Sequence, residues 1–279
     1  MPTKMSWRKG MNMYYQTEKD LIIVKVGTNV LTDISEDHEI LNTQAFDRIG
    51  REVRALSDAG MGIILVSSGA ITAGVLGDNR RRQDVDNMYD LQRYAARGWD
   101  QVVQQWKRSI GGKRVSSTLL TKREIHTEAM RTKALGVMSC CLSYNDVFVV
   151  NENDTISDDE IKFGDNDTLA AALAVECERS KLFRSVRLVL LTNIDGLRVH
   201  KDDAATILRE VDDIAQVERY AGAAANEHSR GGMVTKVQAA KVATRAGVAT
   251  YIADGRMQDA VREVLDHKIG TYFAINRTE

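Results

Sequence analysis

Short, unbroken apolar runs alternate along the chain with longer stretches in which apolar side chains recur every three or four residues. The first run, residues 21–26, stops at Gly27 and reads as a buried strand. In residues 44–59, Phe46, Ile49, Val53 and Leu56 fall on one face of a helix that Gly60 ends. Residues 62–66 are the next strand, and a second helix begins near Gly69. The pattern continues with a long helix at 88–110, a strand at 115–120, a helix at 124–142 and a strand at 147–150. Residues 166–178 are Ala-rich and helical, 186–191 a strand, 233–246 a helix, 249–253 a strand, 258–267 a helix and 272–274 a last short strand. Such alternation, with continuous apolar strands, predicts an α/β protein whose largely parallel central sheet is covered on both faces. In sheets of this kind the working residues gather beyond the carboxyl ends of the strands.

Composition narrows the function. With 38 Lys+Arg against 39 Asp+Glu, the net charge of −1 gives no electrostatic reason to expect nucleic acid or an anionic membrane as partner. The apolar runs are too short to span a bilayer. Cys140, Cys141 and Cys177 are odd in number and form no CxxC pair, so reduced thiols in a cytoplasmic protein are expected. His38, His126, His200, His228 and His267 form no HExxH pair, and no metal site is expected. Residues 1–19, polar with scattered aromatics, are expected to be a poorly ordered extension before a domain at 20–279. The triplet Arg80-Arg81-Arg82, surrounded by Asp78, Asp84 and Asp86, reads as a solvated loop, with an anion contact on the substrate side as the alternative.

Chemistry-bearing residues cluster where the strands end. Lys25 lies inside the first apolar strand, where its charge is costly unless a partner or ligand meets it. Gly27, just beyond, lets an anionic group approach the backbone. The second strand ends in Ser67-Ser68-Gly69-Ala70, small residues that leave backbone N–H groups for a carboxylate or phosphate. Asn151-Glu152-Asn153-Asp154 and Gly164-Asp165-Asn166-Asp167 flank one polar loop and concentrate acids and amides suited to an α-amino group. Leu191-Thr192-Asn193 ends a later strand, and Arg230-Gly231-Gly232-Met233-Val234-Thr235-Lys236 opens a helix in a form suited to nucleotide phosphates, although no GxxxxGK[ST] motif occurs. This set suggests phosphoryl transfer, which needs fixed cations and backbone donors more than covalent chemistry. Lys25 and Lys236 supply cations, and Asp167 can hold both ammoniums.

These motifs, in this order across roughly residues 20–275, resemble the amino-acid kinase superfamily and, within it, the glutamate 5-kinase family. The resemblance implies a three-layer αβα sandwich, with a substrate lobe at about 20–180 and a nucleotide lobe at about 181–279. It also implies transfer of the ATP γ-phosphoryl group to the side-chain carboxylate of L-glutamate, assisted by Mg²⁺, as the first step of proline biosynthesis. By matched position, Lys25, Asp167 and Lys236 are the catalytic residues. Ser68, Gly69, Ala70, Asp154 and Asn166 hold the amino acid. Lys25, Gly27, Thr192, Asn193, Gly231, Gly232, Met233, Val234, Thr235 and Lys236 hold ATP. A homo-oligomer (dimer or tetramer) and a glutamyl phosphate reductase are the implied protein partners.

The sequence departs from the family pattern at particular places. Asn193 replaces the aspartate after Leu-Thr, and Arg230 replaces a small residue before Gly-Gly-Met. Ala96-Arg97-Gly98-Trp99 stands for Ala-x-Gly-Gln, and Lys133-Ala134-Leu135-Gly136-Val137 for Asn-Ala-Arg-Asp-Thr. These last two segments are expected on the substrate side or at the subunit contact. Ending at residue 279, the chain is expected to be a kinase-only form without the C-terminal PUA domain of many bacterial members. Two alternatives remain: the same chemistry on another small carboxylate-bearing amino acid, and a non-catalytic amino-acid-binding protein. Charges aimed at a transition state, Lys25, Asp167 and Lys236, argue against the second.

Overall fold

The computed structural model describes residues 17–35, 38–78, 80–112, 114–156, 165–200, 203–222 and 232–276. The first half of the chain contains β1 (Asp20–Val26), α1 (Thr28–Leu31), β2 (Thr32–Ser35), β3 (His38–Leu41), α2 (Thr43–Asp58), β4 (Gly62–Ser67), α3 (Ala70–Val75) and α4 (Met88–Ile110). It continues with β5 (Val115–Leu120), α5 (Lys122–His126), α6 (Glu128–Ser143), β6 (Val147–Glu152) and α7 (Asp165–Ser180). The remainder supplies β7 (Ser185–Thr192), β8 (Glu210–Val211), α8 (Ile214–Gly222), α9 (Met233–Arg245), β9 (Ala249–Asp254), α10 (Ala260–Leu265) and β10 (Thr271–Phe273).

One 8-stranded sheet in the order β5-β6-β4-β1-β7-β9-β10-β8 organises these elements, parallel throughout except for the β9–β10 pair. The period of two along each strand sorts side chains between its faces. Leu21, Ile23, Ile64, Val66, Phe148, Val150, Leu188 and Leu190 pack with residues of α6, α7 and α9. Ile22, Val24, Ile63, Leu65, Val147, Val149, Val189 and Leu191 pack with α2, α4 and α10. This is the expected αβα sandwich. The same alternation settles the environment of Lys25. It follows Leu21 and Ile23 onto the α7/α9 face of a central strand and is 5% exposed, so it does not line the polar face of an edge strand.

In α3 and α4 glycine is needed for steric reasons. A Cβ on Gly74 would collide with the backbone of Tyr94, and one on Gly98 with the carbonyl oxygen of Ala70. The two helices therefore meet backbone to backbone, which fixes the segment that follows Ser68 and Gly69.

Several expectations need correction. The helix foreseen at 124–142 is two helices, because Thr127 is extended (φ −84°, ψ 114°). The first begins at Lys122, where Thr121 accepts a hydrogen bond from the Arg123 N–H and Glu124 accepts one from the Thr121 N–H at 2.6 Å. The helix foreseen at 258–267 is shortened to α10, whose start is capped from another element: the Glu52 carboxylate of α2 accepts from the N–H groups of Val261 and Arg262. The β2–β3 hairpin, β8 and α8 had no counterpart in the sequence reading. Of the extension at 1–19, Thr17 is buried and donates its N–H to the Leu182 oxygen at 2.9 Å, and the Lys19 oxygen accepts from Arg184 N–H; residues 1–16 lie outside the described residues. Among the described residues no helix is long and apolar enough to cross a membrane.

Candidate active site

The sheet register lines up the strand ends. Val26 of β1 pairs with Ser67 of β4 and Leu191 of β7, and Thr192 pairs with Asp254 of β9. Successive strands run outward from β1 in both directions, so a crevice opens beyond these carboxyl ends.

Asp167 is the centre of this crevice. It sits on the first turn of α7 with no solvent exposure. Lys25 Nζ lies 2.6 Å from its Oδ1 in a buried ion pair. Lys236 Nζ donates to its Oδ2 at 3.1 Å, and Thr235 Oγ1 donates to the same oxygen at 2.9 Å. The lysines arrive from β1 and from the first turn of α9, elements far apart in sequence. Burial on its own pushes the Asp167 carboxyl up, but the Lys25 and Lys236 charges outweigh it and hold it below the usual carboxylate range. Burial lowers Lys236, Asp167 pulls it back up and Lys25 opposes; the balance is a pKa below that of free lysine. One carboxylate shared by two ammoniums leaves a net positive pocket with each cation fixed in place.

Gly27 borders the Lys25 ammonium: a Cβ there would stand 3.6 Å from Nζ and 3.3 Å from the Leu191 oxygen. Its absence keeps the approach to Lys25 open. Thr192 is buried at the end of β7, and its oxygen accepts from Gly255 N–H at 2.8 Å. Asn193 is held through its backbone oxygen, which accepts from Arg256 at 2.9 Å. Gly232, Met233 and Val234 open α9 beside Thr235 and Lys236. Gly231, Gly164 and Arg230 lie outside the described residues.

The other wall joins the two Asx clusters to the β4 loop through Asn166. Its Nδ2 donates to Ser68 Oγ at 3.1 Å and Asn151 Oδ1 at 2.8 Å, while its Oδ1 accepts from Glu152 N–H at 3.0 Å. Both amide hydrogens are thus engaged, and Asn166 positions Ser68 as well as facing the crevice. Gly69 takes φ +100°, a left-handed conformation that favours glycine, and Ala70 starts α3. Asp154 follows β6 on this same side.

Three supports had no individual role in the sequence reading. Asn151 carries Asn166. Trp106 Nε1 donates to Ser67 Oγ at 2.8 Å, steadying the residue before Ser68. Arg256, besides holding Asn193, pairs with Asp254 at 2.7 Å. For Asn151 the signal was its place in the Asn-Glu-Asn-Asp run; Trp106 and Arg256 carry no local signature, since each acts through a contact distant in sequence.

The match to the amino acid kinase family covers residues 20–254. Glutamate 5-kinase of Thermoanaerobacter sp. (strain X514) is 34% identical over 261 residues, 90% of this chain and 67% of that protein. Glutamate 5-kinase of Clostridium acetobutylicum is 33% identical over 268 residues, 93% of this chain and 96% of that one. Among solved structures, carbamate kinase from Giardia lamblia bound to AMP-PNP superposes with a TM-score of 0.64 at 16% identity, covering 93% of this chain and 99% of that one. UMP kinase from Bacillus anthracis gives 0.58 at 14% identity, covering 93% and 96%. At these identities the solved structures speak for the fold alone, whereas the sequence relatives span nearly the whole chain. Fold, motif order and relatives agree: the chain belongs to the amino acid kinase family and groups within it with the glutamate 5-kinases.

Proposed function

We propose that this chain transfers the γ-phosphoryl group of ATP to the side-chain carboxylate of L-glutamate, giving ADP and L-glutamyl 5-phosphate, the first step of proline biosynthesis. The observation that carries the reading is the pair of buried lysines fixed on Asp167 at the strand ends. Both reactants are anionic, and charge spreads over the phosphoryl oxygens as the group moves. Lys25 and Lys236 meet that charge from opposite elements, and Asp167 keeps them from drifting or repelling each other. An oxygen of the ionised acceptor forms the new bond to phosphorus as the bond to the departing ADP oxygen breaks. A carboxylate acceptor has no proton to surrender, so the reaction needs no general base.

Ser68, Gly69, Ala70, Asp154 and Asn166 hold the amino acid, on the part of the chain spanning about 20–180. Gly27, Thr192, Asn193 and residues 231–236 hold ATP, chiefly from the part at about 181–279. Among the described residues no group of three or more His, Cys, Asp or Glu side chains could hold a metal, and Asp167 is already committed to two lysines and a threonine. Mg²⁺ would accompany the ATP phosphates, where it would neutralise charge. A cytoplasmic homo-oligomer, dimer or tetramer, that hands its labile acyl phosphate to a reductase belongs to the same proposal.

The test is purified protein with Mg-ATP and a panel of carboxylate amino acids, followed by ADP release and by hydroxamate formation. Glutamate-dependent release supports the reading; release with a different acid alone reassigns the substrate, and silence with every acid refutes the activity.

A further inference from the structure

The arginine triplet finds a use on the substrate side. Arg82 opens a short 3-10 turn, Arg82–Asp84, that packs against α3 directly after Ser68 and Gly69. Arg82 is half-buried, and burial pushes its pKa below that of a free arginine while the carboxylates of Asp154 and Glu39 pull it back up. Glu39 is itself placed: on β3, its Oε2 accepts from Thr72 Oγ1 of α3 at 3.0 Å. Helix α3, which follows Ser68 and Gly69, therefore carries both the β3 strand of Glu39 and the 3-10 turn of Arg82, and the Asp154 and Glu39 charges act on Arg82.

Glutamate carries three charged groups. The lysine pair faces the reacting carboxylate, and Asp154 suits the α-ammonium. The α-carboxylate still needs a cation, and α3, only 6 residues long, is too short for its dipole to serve as one. We propose that Arg82, placed by the 3-10 turn against α3, binds the α-carboxylate of the amino-acid substrate. The proposal rests on the glutamate reading. Its charge arithmetic closes: with Asp154, Glu39 and Arg82 the set is net negative by one, so an ammonium and a carboxylate enter together and leave that balance unchanged. A bare dicarboxylate would bring uncompensated negative charge beside Asp154 and Glu39. A guanidinium, planar and always charged, matches a carboxylate with two parallel N–H groups.

The experiment compares wild type with Arg82→Met and Arg82→Lys on three acids: L-glutamate, 4-aminobutyrate (no α-carboxylate) and glutarate (no α-ammonium). ADP release gives kcat/KM, and an inhibition constant replaces it for any acid that does not react. In Arg82→Met the glutamate KM should rise about tenfold to hundredfold, the loss expected for a charge-assisted pair. The KM for ATP should move far less. The preference for glutamate over 4-aminobutyrate should shrink by the same factor as the KM rises, while the preference over glutarate persists. Arg82→Lys, which keeps charge but loses the planar fork, should fall between, and it decides the matter if the methionine variant does not fold. A folded variant that discriminates against 4-aminobutyrate as wild type does overturns the assignment. Wild-type silence toward glutamate alongside turnover of a different acid sinks the glutamate reading instead, and Arg82 is then judged by the same comparison between that acid and its decarboxylated analogue.

Discussion

Two of the buried carboxylates, Asp167 and Glu52, respond to burial in opposite ways. Asp167 is fully enclosed yet held below the usual carboxylate range, because the ammoniums of Lys25 and Lys236 outweigh the loss of solvent. Glu52, 8% exposed, is pushed above its ordinary value: burial dominates, and the N–H groups of Arg262 and Val261 only partly offset it. Its Oε1 has no hydrogen-bond partner among the described residues. The contrast separates chemistry from architecture. Full positive charges gathered on one acid form a site that can receive an anion, while partial charges from a helix start form a joint between α2 and α10.

The sharpest test removes the acid from the charged site. Asp167→Asn leaves two buried ammoniums without a counter-ion, and breaking such a pair costs about 3–5 kcal/mol. Urea unfolding should show that loss, together with abolished ADP release. Lys236→Ala should do the reverse: Asp167 keeps Lys25 and Thr235, so the fold holds, while kcat falls on the order of 10²–10³-fold, as when one fixed transition-state donor is removed. A near-normal rate in a folded Lys236→Ala protein would break the assignment of chemistry to this site. Third in size is Glu52→Ala, which leaves the α10 N–H groups uncapped at a cost of about 1–3 kcal/mol in thermal or urea unfolding, with glutamate and ATP kinetics intact.

How far each site was legible in the sequence follows from the same contrast. Lys25 announced itself as a charge within an apolar strand, and Lys236 as a lysine one turn inside a Gly-Gly helix start. Asp167 stood in a Gly-Asp-Asn-Asp run. Each sits where a local pattern meets a strand end or helix start, so the sandwich and its charged centre were readable before any coordinates. Glu52 is one polar position among others on α2, and only the docking of α10, more than two hundred residues away, gives it a role. Arg82 shows the intermediate case. The triplet was visible, but its aspartate-rich flanks favoured a solvated loop, and the charges that act on Arg82, those of Asp154 and Glu39, come from other elements. The β2–β3 hairpin that contributes Glu39 carries no Asn-Gly or Asp-Gly turn, and its short strands leave little periodic signal.

The smallest expected effect bears most directly on the comparison. Because the folded-state pKa of Glu52 lies above its ordinary value of 4.5, the folded protein binds this proton more tightly than the unfolded chain does. Stability from this group is therefore complete below pH 4.5, declines as pH rises through the interval up to the folded-state pKa, and is flat beyond it. Glu52→Gln keeps the shape and one accepting oxygen for the α10 N–H groups but has no proton to lose. Subtracting its melting temperature from that of wild type at each pH cancels the other titrating groups, which the two proteins share. The difference should fall as pH is raised from 4.5 toward neutrality and then level off. Asp167, with its lowered pKa, has the opposite sign, since its contribution is lost as pH falls through its folded-state value. A wild-type advantage that grows with pH would mean that two backbone N–H groups neutralise Glu52 as effectively as two lysines neutralise Asp167, and the distinction between joint and site would no longer rest on charge.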